Sequence, residues 1–424
     1  MKVVGIIAEY NPFHRGHEYQ IRYAKETLGA DYVVIAMSGD FVQRGAPALM
    51  EKHIRAEMAL LGGADLVLEM PVQTATASAE GFATGGVSLL DGLGVIDELC
   101  FGSECGDTEI LMDVAEILVK EPYEYRDLLQ QNLRAGMSFP AARSSALIGY
   151  IQEKIASGLN TLGTSSEYIG LVLSSPNNIL GIEYCKALLR LNSRIIPHAL
   201  LRKGNGYHDT DFSLLSDEKF PYASGIRNFM KKSEKAGQSA DFSRLIPSAS
   251  ISGFLDSIEK GAWLSDSALD LPLHYKLLLE SEETLQMYPD LSDALIRRIL
   301  KFRNQYEGFS QFADLLKTRD ITRSAICRSL VRIFLNQKTK APGHIPYARV
   351  LGFRKSSAPL LSLIKKKSSI SLITKAADAS AILDENAFQL FHETCEASNL
   401  YEMLLCHKTG LPFIHEMKKP LRII

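Results

Sequence analysis

Cysteine is sparse and follows no pairing pattern. Cys100, Cys105, Cys185, Cys327, Cys395 and Cys406 form no Cys-x-x-Cys pair, so neither a disulfide framework nor a zinc ribbon is indicated, and they read as reduced interior thiols. No apolar run approaches the roughly 18 residues of a membrane span. No cationic stretch with an apolar core and a small-residue cleavage site precedes the first strand-like run, so no membrane partner and a cytoplasmic location are expected. The net charge of −2 over 424 residues lacks the excess of a polyanion binder. Apolar residues are not lacking: at 46% of the chain they suffice for the cores of two or three domains.

The first informative stretch begins at residue 3. Val3 to Ala8 is short, apolar and rich in β-branched residues, as a strand buried on both faces should be. Pro12 ends it, and an amphipathic helix follows from about Gly16 to Leu28, placing His14-Arg15-Gly16-His17 in the bend and first helical turn. Free N–H groups at a helix start attract phosphate, and Gly16 has no Cβ to hold it off. His14 and His17 share one side of that turn and can grip a triphosphate as charge moves during attack at phosphorus, which makes them the candidate catalytic pair for nucleotidyl transfer. A His-x-Gly-His string would arise by chance only about 0.02 times in a shuffled chain of this composition. No third ligand stands at a recognisable spacing, so no metal site is expected there.

Strand-like runs at Asp31–Met37, Ala64–Met70, Val95–Phe101 and Arg194–Leu201 alternate with helical stretches. That alternation predicts an α/β fold with a Rossmann-like parallel sheet. A helical insertion is expected from Asp107 to about Ser157, and Pro197 marks the last strand as an edge. Ligands of such sheets lie beyond the carboxyl ends of the strands at the switch point, which selects Tyr10 to His17, Ser38, Gly39, Gly102 and Arg202. Gly102 would let adenine or ribose approach the backbone. Ser38, Gln43 and Arg44 sit where a small carboxylate fits beside an α-phosphate, since an Arg fork suits a carboxylate. Lys52 and Arg55, three apart on a helix, either neutralise triphosphate charge or form a solvated face. Asn177 is either an N-cap or a ligand contact, and Arg202 either a ligand contact or a strand-end ion pair.

The tetrapeptide resembles the signature of the nucleotidyltransferase and class I aminoacyl-tRNA synthetase superfamily. More narrowly, Ala8-Glu9-Tyr10-Asn11-Pro12-Phe13-His14-Arg15-Gly16-His17, then Met37-Ser38-Gly39-Asp40-Phe41-Val42-Gln43-Arg44-Gly45, is similar to the bacterial tRNA(Met) cytidine acetate ligases, and the likeness extends over the whole chain. That resemblance implies a ligase that condenses acetate with ATP to acetyl-adenylate and passes the acetyl group to the N4 amine of the wobble cytidine in elongator methionine tRNA. It implies ATP contacts from Ile7, Ala8, Glu9, Tyr10, Asn11, Pro12, Phe13, His14, Arg15, Gly16, His17, Glu18, Tyr19 and Gln20, and from Gly102, Asn177 and Arg202. Magnesium is expected with the triphosphate. Acetate and the tRNA identity rest on the resemblance alone. Tyr222-Ala223-Ser224-Gly225-Ile226-Arg227 resembles the second nucleotidyltransferase signature, Ser-x-Thr/Ser-x-Ile-Arg, with Tyr222 replacing the first Ser. Ser224 and Arg227 are then either outer-phosphate contacts or an N-cap and a surface arginine.

Charge is segregated along the chain. Between Leu291 and Ile370, 17 basic residues face 4 acidic ones, a surplus of 13 that leaves −15 on the remainder. Such a cluster is a footprint of nucleic-acid binding or a solvated face. The candidate tRNA contacts are Arg297, Arg298, Arg323, Arg328, Arg332, Lys365, Lys366 and Lys367. The expected organisation is a catalytic domain over residues 1–232, a boundary at Ser233–Ser252, a mostly helical basic domain over 253–344 and a small C-terminal αβ lobe over 345–424. Two other functions share the first loop: a coenzyme-type nucleotidyltransferase, which does not need the basic domain, and a nucleotide-sensing RNA-binding protein without catalysis. A class I synthetase is disfavoured because no Lys-Met-Ser-Lys-Ser element occurs.

Overall fold

In a computed structural model, residues 1–158, 165–203, 220, 222–236 and 241–424 are described, with 233–236 described by their backbone only. Part of the expected 233–252 boundary therefore lies outside the described residues. The strands are β1 (Val3–Ala8), β2 (Tyr32–Ser38), β3 (Phe41–Val42), β4 (Ala46–Pro47), β5 (Leu66–Met70), β6 (Glu98–Ser103), β7 (Ile196–Leu201), β8 (Tyr347–Phe353), β9 (Ser371–Ile373) and β10 (Arg422–Ile423). Eight of them build one sheet in the order β10-β8-β5-β2-β1-β6-β7, with β9 beside β8, while β3 and β4 form a separate small hairpin. The run β5-β2-β1-β6-β7 is parallel throughout. Its chain direction of travel reverses between β1 and β6, the switch point of a doubly wound sheet.

Alternation along each strand divides the core. Val3, Ile7, Val34 and Ala36 face one apolar cluster, while Val4, Ile6, Val33 and Ile35 face the other, because successive strand side chains point to opposite faces. The first cluster takes in helices Ala79–Gly92, Thr108–Lys120 and Pro176–Arg190; the second takes in Arg15–Glu26, Lys52–Leu61 and Ala223–Ala236. Helices on both faces explain why the parallel strands are almost wholly apolar. The stretch expected to be helical after Asp107 forms helices Thr108–Lys120, Tyr123–Arg134 and Phe139–Ala156.

The third cluster belongs to the 262–334 helices, and it also receives Phe41 from the catalytic side and Tyr401, Leu404 and Leu405 from the long Glu385–Thr409 helix. The 345–424 segment differs from the small lobe expected of it. Its strand β8 pairs antiparallel with β5, Leu66 opposite Phe353 and Glu69 opposite Arg349, so it extends the catalytic sheet. The apolar run Tyr347–Phe353 supplies the strand, and a buried ion cluster secures it. Lys52 Nζ lies 2.6 Å from Glu69 Oε1 and 3.0 Å from Glu416 Oε1, while Arg349 pairs with Glu69 at 2.8 Å and with Glu416 at 2.5 Å. Burial and Arg349 push the Lys52 ammonium down, but Glu416, Glu69 and Asp40 outweigh them and raise it. Glu416, which burial alone would raise, is held well below the usual carboxylate range by Lys52 and Arg349.

Candidate active site

The first loop is shaped by its own side chains. Tyr10 takes a left-handed backbone, φ +49, and is buried, as is Phe13. Phe13 meets the Tyr10 ring edge-on at 4.9 Å. His14 caps the following helix: its Nδ1 accepts from Gly16 N at 3.1 Å, and His17 Nδ1 accepts from His14 N at 3.3 Å, a reciprocal capping box. The two imidazoles stack with centroids 3.7 Å apart.

Because each Nδ1 accepts, each ring carries its proton on Nε2 and offers that N–H as a donor. Burial, then His17, Arg202 and Arg227, hold His14 well below the ordinary imidazole range, and burial with Arg202 lowers His17 to about 3. Both rings are neutral at pH 7, as donors rather than cations.

A cavity of about 260 Å³ opens at the switch point. Ile7, Ala8, Glu9, Tyr10, Asn11, His17 and Gln20 line it from β1 and the first helix, Gln43 and Arg44 from the loop after β2, Gly102 from β6, Asn177 from the 176–190 helix and Arg202 from the end of β7. A smaller one, about 50 Å³, adjoins it through His17, Gln20, Gly102 and Arg202, and adds His14, Gly16, Tyr19 and Tyr222. Gly102 leaves room for Arg202, whose Cγ would stand 3.3 Å from an added Cβ. The Arg202 guanidinium lies over Tyr222 at 5.0 Å, and its Nε is buried without a partner among the described residues.

Asn177 donates through Nδ2 to Glu104 Oε1 at 2.6 Å, and Asn178 accepts through Oδ1 from Ser103 Oγ, Glu104 N and Cys105 N. Thus Asn177 is both cavity wall and part of the junction between β6 and the helix. Sequence reasoning missed Phe82, Phe101, Leu180 and Tyr184, which form the apolar side of the larger cavity. Their only signal was placement: each sits near a strand end or on a helix crossing one.

Other candidates lie elsewhere. Pro12, Arg15 and Glu18 line neither cavity, and Phe13 is core. Lys52 and Arg55 are both fully buried, so neither reading of them as a phosphate pair or a solvated face holds. Lys52 belongs to the ion cluster because its helix lies against Glu69 and the C-terminal segment. Arg55 donates to backbone carbonyls, Nε to Met50 O at 2.8 Å and Nη1 to Glu9 O at 2.6 Å and Ser38 O at 3.1 Å. Ser38 is buried beneath the loop, its Oγ without a partner among the described residues, and lines neither cavity. Arg227 donates to Asn11 O, tying the 223–236 helix to the first loop, and Ser224 is half-buried beside Ala223, which does line the larger cavity.

Of the basic candidates, Arg332 is buried and donates to Pro289 O at 3.0 Å and Thr76 O at 3.2 Å, so it is structural. Arg298 caps a helix end through Leu316 O and Leu315 O, and Arg323 pairs with Asp314 at 2.7 Å. Arg328 is half-buried, its backbone N only 2.3 Å from where a Cβ on Gly45 would stand. Arg297, Lys365, Lys366 and Lys367 are exposed.

Three comparisons bear on this geometry. The model of the HIGH Nucleotidyl Transferase family matches residues 1–410. The tRNA(Met) cytidine acetate ligase of Acetivibrio thermocellus is 36% identical over 415 residues, 96% of each chain, and that of Clostridium acetobutylicum 38% identical over 383 residues, 88% of this chain and 90% of the other. The crystal structure of Thermotoga maritima TmcAL bound with alpha-thio ATP superposes over 100% of both chains, with a TM-score of 0.87 and 29% identity.

Proposed function

This chain belongs to the HIGH nucleotidyl transferase family and, within it, to the tRNA(Met) cytidine acetate ligases, and we propose that it acetylates a tRNA cytidine at the expense of ATP. The observation that carries the reading is the pair of adjoining cavities at the β1/β6 switch point, where two neutral imidazoles, the first loop, Gln43, Arg44 and Arg202 converge. ATP lies along the first loop with its phosphates towards His14 and His17, whose Nε2–H groups donate to oxygens that gain charge as phosphorus is attacked. Gly16 admits a phosphate, and Gly102 the nucleoside, close to the backbone.

Acetate, held by Arg44 beside Gln43, attacks the α-phosphorus; the bond to the β-phosphate oxygen breaks and pyrophosphate leaves with the electron pair. The N4 amine of the wobble cytidine of elongator methionine tRNA then attacks the acetyl carbonyl, AMP departs and the amine loses a proton, giving N4-acetylcytidine. Positioning and charge stabilisation supply the catalysis. Magnesium arrives with the nucleotide. Among the described residues no group of three or more His, Cys, Asp or Glu is placed to hold a metal ion, and Glu9, the one carboxylate lining the larger cavity, already accepts from Gln43 N at 2.7 Å. The described donors do not fit a protein-held magnesium site; phosphate oxygens and water suit that ion. Arg297, Arg328 and the Lys365–Lys367 run provide phosphate contacts for the RNA.

Pyrophosphate release is to be measured with acetate, formate, propionate or no acid, each with and without bulk tRNA, for the wild type and His14→Ala. Acetate-dependent release that collapses in the variant, with acetylated cytidine in the digested tRNA, is the expected result. Release that responds to neither acid nor tRNA would reject the ligase in favour of a coenzyme-type nucleotidyltransferase or a sensor.

A further inference from the structure

Arg55 is 0% exposed, and its ion-pair partner Asp40 holds a carboxylate oxygen no nearer than 4.0 Å. Its charge is met mainly by carbonyls: Met50 O on Nε, Glu9 O and Ser38 O on Nη1, and Gly39 O on Nη2. Those carbonyls belong to two different segments. Glu9 precedes the left-handed Tyr10 in the first loop, whereas Ser38 and Gly39 begin the loop that reaches Gln43 and Arg44 on the facing side of the cavity. A second tie joins the same two segments, Gln43 N donating to Glu9 Oε1. From below, Gly39 rests against Glu69 Oε1, which a Cβ would meet at 2.6 Å.

We infer that Arg55 is a positioning residue that fixes the gap between the first loop and the 38–45 loop, and thereby limits the size of the carboxylic acid admitted beside ATP. The inference rests on the ligase reading above. A rigid guanidinium fork can hold several carbonyls at fixed separations, which a compact ammonium on a flexible stem cannot. A single methylene in a pocket discriminates substrates by about 10–200-fold. A relaxed gap therefore has room to show itself as altered acid choice.

The test is the ratio of propionate- to acetate-dependent pyrophosphate release by the full chain, for the wild type, Arg55→Lys and Gly39→Ala. A ratio does not depend on how much of a preparation is folded, so simple destabilisation leaves it unchanged. The expected result is a rise of about tenfold in Arg55→Lys, with a higher KM for acetate. Gly39→Ala displaces the same loop from the Glu69 side, where Lys52 holds the carboxylate in place, and is expected to raise the ratio too; it decides the matter if the lysine variant does not fold. An unchanged ratio in the variant that folds overturns the inference. No acid-dependent release in the wild type would instead defeat the ligase reading itself.

Discussion

Two neutral histidines, His14 buried and His17 half-buried, give the protein an acid sensitivity whose size follows from the site. His17 is lowered from 6.5 to about 3 by burial and by Arg202. Unfolding returns it to its ordinary value, so below 6.5 the unfolded chain binds a proton that the folded chain does not. The folded pKa being depressed, its contribution is complete above pH 6.5 and is lost as pH falls from there towards 3. At pH 5 the solution is about 1.5 units below the ring's ordinary pKa, and at about 1.36 kcal/mol per unit the folded state forfeits about 2 kcal/mol. His14 acts in the same direction. His17→Asn removes the titrating group while its side-chain oxygen replaces Nδ1 as acceptor for His14 N. Urea unfolding of both proteins at pH 7.5 and pH 5 gives a double difference from which carboxylate effects cancel. The wild type should lose about 2 kcal/mol more than the variant. Equal losses would mean that His17 titrates normally in the fold, and the neutral-donor account of the site would be refuted.

Lys52→Met should cost about 3–5 kcal/mol in thermal or chemical unfolding, since it leaves buried carboxylates short of a partner, while the ATP dependence of pyrophosphate release stays as in the wild type; a raised KM for ATP would restore Lys52 to the phosphate site. Replacing Lys365, Lys366 and Lys367 together by alanine should weaken tRNA binding and flatten its dependence on log salt concentration by up to about 3 units, read by filter binding across salt concentrations. An unchanged slope would remove those lysines from the RNA surface.

The first loop was legible because everything that shapes it is local: strand, bend, cap and helix lie within some twenty residues, and the Nδ1 contacts of His14 and His17 run within the motif itself. The parallel sheet was legible for a related reason, that β-branched runs alternate with amphipathic ones. Charge was misread wherever its partner is remote. Lys52 looks like a surface cation until Glu416 is brought to it across more than 360 residues, and Arg332 until the carbonyls of Thr76 and Pro289 converge on it. A lone basic residue on a helix carries no sign of which carbonyls will meet it. The apolar wall of Phe82, Phe101 and Tyr184 was hidden for the opposite reason, since in sequence it is indistinguishable from core.

The antiparallel seam between β5 and β8 also sets a timetable. On a ribosome, residues 1–103 can form the parallel strands β1, β2, β5 and β6, but β5 then keeps an open edge and Glu69 has Lys52 without Arg349 or Glu416. An exposed strand edge invites pairing with another chain, and contacts of such sequence separation form slowly. The nascent protein thus carries a nearly built nucleotide site on an unsealed sheet until residues 347–353 and then Glu416 emerge, and its period of greatest risk for aggregation is late in synthesis rather than at its start.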